Sequence, residues 1–139
     1  MDLFGTMSVG LSGMNAASRR LEVSASNVAN VTTAGALPDA SADAQAAGQV
    51  YQPLQVVQSD LGQGAGTTTM IVASQPATHQ SYGPTAPYAD ARGMVAMPNV
   101  DLASEMVNQM TSLALYKANA ELVRTAADEM AKTTFQIMA

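Results

Sequence analysis

The residues of this chain that could support chemistry are few and scattered. Its single histidine, His79, stands in a proline-rich stretch, where one imidazole is most often a solvated side chain, and a multi-histidine metal site is excluded. Cysteine is absent, so disulfides and thiolate metal ligands are excluded as well. The neighbouring carboxylates Asp128 and Glu129 project to different sides of a predicted helix, whereas general acid–base catalysis needs paired groups in one cleft.

Two glycine-rich segments match functional loops only in part. Residues 62–66 read Gly-Gln-Gly-Ala-Gly, but they lack the G-x-G-x-x-G spacing, no lysine follows, and a strand rather than a helix is predicted next. Residues 10–13 read Gly-Leu-Ser-Gly, which is one residue short of the hydrolase nucleophile elbow, and no strand is predicted before them. We therefore predict that the chain is not an enzyme and has no catalytic, metal-binding or cofactor-binding residue.

Composition narrows the class of protein further. Apolar residues make up 47% of the chain, but only 4% of residues are aromatic and ten are methionine, so we expect a thin core. Methionine at helical spacing is interpreted first as core filler and second as an adaptable docking surface. A net charge of −5 with only six basic residues argues against nucleic-acid binding. The hydropathy pattern predicts neither a membrane span nor a cleaved signal peptide.

The elements that must position any functional surface are two heptad-patterned segments at the ends of the chain. Residues recurring at alternating spacings of three and four keep one stripe of a helix turned toward a partner helix, as in coiled coils. The N-terminal stripe comprises Phe4, Met7, Leu11, Met14, Ser18, Leu21, Ala25 and Val28. The C-terminal stripe comprises Leu102, Met106, Gln109, Leu113, Tyr116, Ala120, Val123, Ala127, Met130, Thr134 and Ile137. We predict that the apolar members form a helix-packing and subunit interface.

The N-terminal helix is predicted to run from Leu3 to about Asn30. Glycines at positions 5, 10 and 13 each cost a helix about 1 kcal/mol relative to alanine, so its first half is weak. We expect the first dozen residues to be disordered until a partner is present.

The C-terminal helix is predicted to start at a cap formed by Asn99 or Asp101 and to end near Met138. Ion pairs at helical spacing support it: Lys117–Glu121, Glu121–Arg124, Arg124–Asp128 and Asp128–Lys132. Such a helix would be roughly 55 Å long, which exceeds the ~14 Å radius of gyration of a compact chain of this length. A second, weaker apolar stripe consists of Leu115, Ala118, Leu122 and Ala126. We predict that other subunits cover the apolar surface that remains.

The middle of the chain lacks helical periodicity. Residues 34–49 are predicted to form a flexible loop, and residues 49–58 an edge strand or extended arm around Pro53. Residues 67–74 and 94–97 are predicted as further strands, and residues 75–93 to contain little regular structure because of their prolines.

These predictions combine into one fold class. It is mainly α, with long N- and C-terminal helices packed as a coiled-coil-like hairpin and a small irregular β/loop insert between them. The chain is predicted to be one structural unit of three segments: residues 1–33, 34–98 and 99–139.

Sequence motifs lie within the same segments. The stretch 24–33 matches the signature S-S-N-[IV]-A-N-x-x-T through Ser26, Asn27, Ala29 and Asn30. A second stretch, residues 82–101, and its continuation to residue 126 carry the motif residues Pro98, Asn99, Glu105 and Asn119. The first motif resembles the start of flagellar axial proteins, which include rod, hook and hook-associated subunits. The second resembles the FlgC family of basal-body rod proteins. Together the two resemblances cover roughly the first 33 and the last 60 residues.

The resemblance implies a structural subunit of the proximal rod, the shaft that crosses the periplasm and transmits torque from motor to hook. In that family both terminal helices pack into the tubular core, and the subunit is exported through the flagellar type III apparatus without a cleaved signal. Implied partners are other copies of the chain, other rod subunits, the hook–basal body adaptor protein FliE and the export apparatus. Residues 34–74 carry little of the charged and aromatic character of the family pattern.

Two alternatives remain open from the sequence. A helical export chaperone or adaptor that binds another protein's amphipathic helix would form a stable dimer or 1:1 complex, but it leaves the insert unexplained. Another proximal rod subunit of the same superfamily is the second alternative, against which residues 82–101 argue.

Overall fold

The computed structural model describes residues 2–39, 46 and 48–138, with side chains through Gln136. Its elements, in chain order, are helix α1 (Leu3–Ala29), strands β1 (Leu54–Asp60), β2 (Thr67–Ala73), β3 (Thr78–Tyr82) and β4 (Met94–Pro98), and helix α2 (Leu102–Met138). The predicted fold class is confirmed: two long helices, of 27 and 37 residues, form the ends of the chain, and a small strand insert lies between them in the sequence. Residues 40–45 and 47 of the predicted loop lie outside the described residues.

The chain divides into two compact units. The first, called the helical unit, comprises Met1–Glu22, Val56–Ile71 and Val107–Ala139. The second, called the strand unit, comprises Val23–Gln55 and Val72–Met106.

Helix α1 begins at Leu3 because Asp2 caps it. The Asp2 carboxylate accepts a hydrogen bond from the Gly5 N–H at 2.7 Å, and the Asp2 carbonyl accepts one from the Thr6 N–H at 3.0 Å. The structure thus differs from the disorder expected for the first dozen residues. The cap satisfies backbone donors at this end, and close packing against α2 holds the next turns.

Two glycines of α1 are positions of closest approach to α2 in the helical unit. A Cβ added to Gly10 would lie 2.6 Å from Val123 Cγ2 and 3.3 Å from the Asn119 carbonyl oxygen. A Cβ added to Gly13 would lie 2.5 Å from Asn119 Oδ1. The glycines that weaken the isolated helix therefore allow the two helix backbones to come together.

Strand β4 is the centre of the strand unit. It pairs antiparallel with β3, from Thr78 opposite Pro98 to Tyr82 opposite Met94. On its other edge, Ala96 exchanges two backbone hydrogen bonds of 2.9 Å with Gly35. Both edges of β4 are thus paired at Ala96, and its residues Val95, Ala96 and Pro98 are buried.

Strand β3 corrects the prediction of little regular structure between residues 75 and 93. Its sequence, Thr-His-Gln-Ser-Tyr, is polar and lacks an apolar alternation, so only pairing with β4 specifies it. The two other strands, β1 and β2, form a separate two-stranded sheet. The loop between them has positive φ angles at Gly62, Gln63, Gly64 and Gly66, which glycine tolerates best.

Of the two predicted caps, Asp101 is the residue that caps α2. Its carboxylate accepts hydrogen bonds from the Ser104 hydroxyl at 2.8 Å and the Ala103 N–H at 3.0 Å. These bonds, the Ser104 bond above all, hold the pKa of Asp101 below its ordinary value. The Asn99 side chain instead donates to the Pro76 carbonyl at 3.1 Å.

Exposed ion pairs line the second half of α2; of the four predicted pairs, Glu121–Arg124 is confirmed, and Lys132 has a different partner. Arg124 pairs with Glu121 at 2.6 Å. Lys132 pairs with Glu129 at 2.7 Å, at a spacing of three residues rather than with the predicted Asp128. Each such pair contributes only a few tenths of a kcal/mol, so they support the helix without directing its packing.

A substitution at Gly10 tests the close approach of the helices. Helix propensity alone would make Gly10→Ala more stable by about 1 kcal/mol. We expect the opposite, a loss of about 1 kcal/mol in the free energy of unfolding, because the added methyl overlaps the stiff Val123 side chain. Chemical denaturation followed by circular dichroism measures the change.

The control is Asn15→Ala, at an exposed position of the same helix, which should not destabilise the protein. In a double-mutant cycle, Val123→Ala should make the Gly10→Ala change less costly, because it removes the overlapping methyl group. A stabilising Gly10→Ala substitution would contradict the close approach.

Candidate subunit interface

Asn27 is the centre of a buried polar cluster in the strand unit. Its Nδ2 donates to the Leu54 carbonyl at 2.8 Å and to Glu105 Oε1 at 2.7 Å. Its Oδ1 accepts from the Leu54 N–H at 2.9 Å and from the Tyr51 hydroxyl at 3.0 Å. The side chain thus pairs with the backbone of Leu54 as a neighbouring strand would, and every donor and acceptor of the amide is satisfied.

Other residues of the N-terminal motif extend this cluster. The buried Ser24 hydroxyl donates to the Glu105 carbonyl at 3.1 Å, and the Ser26 hydroxyl lies 3.0 Å from the Tyr51 hydroxyl. The Asn30 side chain donates to the Ser26 carbonyl at 2.9 Å and closes the last turn of α1. The cluster therefore joins the end of α1, the start of β1 and the start of α2 within the strand unit.

The remaining motif residues have separate environments. Ala29 is exposed at the end of α1, and Pro98 is fully buried at the end of β4. Asn119 is half-buried in the helical unit, where its Nδ2 donates to the Leu115 carbonyl at 2.8 Å and its side chain lies against Gly13.

The predicted stripe of α1 does not coincide with the face that the structure covers. The buried positions of α1 are 10, 16, 17, 23, 24 and 27, which lie one or two residues before a predicted position. One residue corresponds to a rotation of 100° around a helix. Accordingly, Phe4, Leu11, Leu21 and Ala25 are exposed, whereas Met7, Met14 and Val28 are half-buried.

On helix α2, the covered face lies closer to the predicted apolar stripe than it does on α1. Its more covered positions include Glu105, Gln109, Ser112, Asn119, Val123, Ala126 and Met130. Among the predicted interface residues, Val123, Met130 and Ala120 are half-buried. Leu102, Met106, Leu113, Tyr116 and Ala127 are exposed, and the side chain of Ile137 lies outside the described part of the chain.

The second predicted stripe does not share one environment. Leu115, Ala118 and Leu122 are exposed, whereas Ala126 is buried. Apart from Val23, the buried positions of both helices carry glycine, alanine, serine or asparagine, whereas most of the larger apolar side chains are half-buried or exposed.

The sequence does contain a pattern of small residues that indicates the packed face of α1, beside the more prominent apolar stripe. Gly10, Gly13, Ala17 and Ser24 recur at heptad-compatible spacing, one residue before the apolar stripe. Small residues at that spacing indicate a close helix–helix contact. Tyr51 was missed for another reason: it lies in an irregular segment, so its role depends on contacts that only the fold reveals.

Among the residues that the structure describes, no group of three or more histidine, aspartate or glutamate side chains could hold a metal ion. The described helices likewise include none long and apolar enough to cross a membrane.

Replacing Asn27 by aspartate tests the polar cluster. Asn27→Asp places a carboxylate against Glu105 and the Leu54 carbonyl, so we expect it to lower the free energy of unfolding by about 2–4 kcal/mol at pH 7. Repulsion raises the carboxyl pKa values in the folded state of this variant. The folded state then binds more protons than the unfolded state, so the deficit should shrink as pH falls toward 4.

Denaturant unfolding at pH 7 and at pH 4 measures the effect. The matched control is Asn15→Asp, at an exposed position of the same helix, which should change stability little at either pH. Equal losses for the two variants would exclude the proposed role of Asn27.

Comparison with known proteins gives the family. The family described as "Flagella basal body rod protein" matches residues 7–36, and "Flagellar basal body rod FlgEFG protein C-terminal" matches residues 91–137. The chain is 40% identical to the flagellar basal-body rod protein FlgC of Escherichia coli O6:H1 over 138 residues, which is 96% of each chain. It is 38% identical to FlgC of Salmonella typhimurium and 37% identical to FlgC of Yersinia enterocolitica over the same shares.

The two family matches cover the two helical ends of the chain and include the polar motif around Asn27. The relatives extend the similarity across the strand insert at nearly full length. The chain therefore belongs to the FlgC family of flagellar basal-body rod proteins and is a structural subunit of the basal-body rod.

Proposed function

We propose that the exposed apolar stripes of α1 and α2 are the surfaces through which this rod subunit packs against its neighbours. The observation that carries the proposal is the exposure of large apolar side chains on both helices: 71% for Phe4, 63% for Met106 and 72% for Met110. Burying one such side chain contributes about 1.5–3 kcal/mol. Large apolar side chains exposed along a helix are typical of interaction sites.

The charge distribution supports contact through apolar surfaces. Residues 3–18 of α1 and residues 106–116 of α2 contain no charged side chain, whereas charged residues follow on α2 from Lys117 onward. A neighbouring helix can therefore lie along either uncharged segment without burying an unpaired charge.

We infer that the neighbours are other copies of the chain, other rod subunits and the adaptor FliE. A shaft that transmits torque needs helix packing that continues along its axis, and a contact between two different surfaces can continue in this way. Segments 1–33 and 99–139 would form the core of the shaft and segment 34–98 its outer part. The rod would cross the periplasm, and the chain would reach it through the flagellar type III export apparatus.

Membership of the rod family favours this function over an export chaperone. A chaperone would remain in the cytoplasm with its partner, whereas a rod subunit is present in purified basal bodies. Fractionation of cells that express the tagged full chain distinguishes the two.

A charge placed in the exposed stripe tests the proposed surface. Met106→Lys should leave the helix content of the purified chain unchanged, because the side chain is exposed. It should prevent incorporation into basal bodies and abolish swimming, because the lysine would have to be buried unpaired at the contact. Immunoblotting of isolated basal bodies and motility in soft agar measure the two effects.

The matched control is Asp128→Lys, which reverses a charge at an exposed position in the charged half of the same helix. It should assemble more efficiently than Met106→Lys. Normal incorporation of a folded Met106→Lys chain would exclude Met106 from the subunit contact.

A further inference from the structure

The two flanks of the α1–α2 pair in the helical unit are different. On one flank, the loop and strands of the β1–β2 sheet contact α1. The Thr67 N–H donates to the Ser12 hydroxyl oxygen at 3.2 Å, and the Arg20 guanidinium donates to Gln58 at 2.7 Å. Gly66, with a φ of 97°, lies so close to Ser12 that a Cβ has no room. This flank is therefore occupied by the chain itself.

The other flank carries an open groove between the helices. It has a volume of about 260 Å³, and its lining consists of Ala17, Ser18, Leu21, Ser112, Leu113 and Tyr116. Leu113 lines this groove, whereas Leu115 lines the cleft on the flank of the strands. The two leucines are two residues apart, which is 200° around a helix, so the groove and the strands lie on opposite sides of α2.

The lining of the groove defines what can fill it. None of its residues is charged, and the three largest, Leu21, Leu113 and Tyr116, are exposed. An occupant must therefore present apolar side chains without a charge among them, since an unpaired charge would lose its hydration there. A helix fits because the groove runs between two helices, where side chains at helical spacing can interdigitate.

The chain itself contains a segment with these properties. The outer stripe of α1, formed by Phe4, Met7 and Leu11, lies within the uncharged residues 3–18. Phe4 and Leu11 are exposed in the subunit. On α2, the uncharged residues 106–116 already contribute Leu113 and Tyr116 to the groove itself. The second half of α2 is less suitable, because exposed lysine and arginine side chains are spread along it.

We propose that the groove of one copy receives the outer stripe of α1 from a second copy of the chain. This inference rests on the proposed function, since it specifies one contact by which the rod subunit would pack. The groove and the stripe are different surfaces of the same molecule. When two copies do not exchange this contact reciprocally, it is heterologous, and it leaves a free groove and a free stripe at its ends to continue the assembly.

Disulfide cross-linking tests the contact. Because the chain has no natural cysteine, any disulfide that it forms involves an introduced thiol. Cells that co-express two full-length variants, Phe4→Cys and Leu113→Cys, assemble basal bodies that are then isolated and oxidised. Each variant carries one thiol, so a disulfide dimer of the two can form only between copies. The control pair is Asp128→Cys with Leu113→Cys, in which the Asp128→Cys thiol lies on the charged half of α2. We expect the first pair to give several-fold more mixed dimer than the control pair.

The possible outcomes separate this contact from the proposed function. Basal bodies that contain both variants but give no mixed dimer would overturn the contact and leave the proposed function intact. Dimers of Leu113→Cys alone would indicate that two grooves face each other, which also overturns it. Absence of the unmodified chain from basal bodies would overturn the proposed function.

A second pair of cysteine variants tests the contact in case a variant of the first pair fails to assemble into basal bodies. Leu11→Cys with Tyr116→Cys probes the same stripe and groove at different positions. Mixed dimers from this pair support the contact even if Phe4→Cys fails to assemble. If the second pair is incorporated and gives no mixed dimer, the contact is overturned.

Discussion

The close approach of α1 and α2 at Gly10 and Gly13 determines the arrangement of the side chains around it. Where two helix backbones nearly touch, only hydrogen, methyl and hydroxymethyl groups fit between them. Ala17, Ser112 and Ala126 satisfy this requirement and are buried. Large apolar side chains are excluded from the same face and must lie beside it. The exposure of the predicted apolar stripe is thus a consequence of how near the helices come.

A contact made of small groups has few side-chain knobs to prevent the helices from sliding. Within the strand unit, the polar cluster around Asn27 constrains the end of α1 in a different way. Its hydrogen bonds are directional, and a shift of one residue would leave the buried amide without its partners, at a cost of about 1–3 kcal/mol for each unsatisfied group. Asn27 and Ser24 therefore fix the register of α1 relative to β1 and the start of α2 within the strand unit.

The features of the fold that could be predicted from the sequence are those that local sequence patterns specify. The heptads gave both helices, and Asp101 was among the predicted caps, because these are local features of the sequence. The heptads also record which side chains avoid water, but not whether the chain itself or a neighbour covers them. In the proposed interface the two would differ: the buried positions of α1 lie one or two residues before the apolar stripe. Strand β3 was missed because its polar sequence has no apolar alternation, and only its pairing with β4 makes it a strand.

The division between small inner and large outer side chains has a consequence for the energetics of a rod subunit. Alanine and glycine bury little apolar area, so the contact between the helices contributes little hydrophobic stabilisation to the isolated chain. The larger contribution, from residues such as Phe4 and Met110, becomes available when other molecules cover them. The stability of each subunit is then linked to assembly by mass action. With the proposed contacts, such a chain would be least stable while it is alone and would be stabilised by the neighbours that cover these side chains.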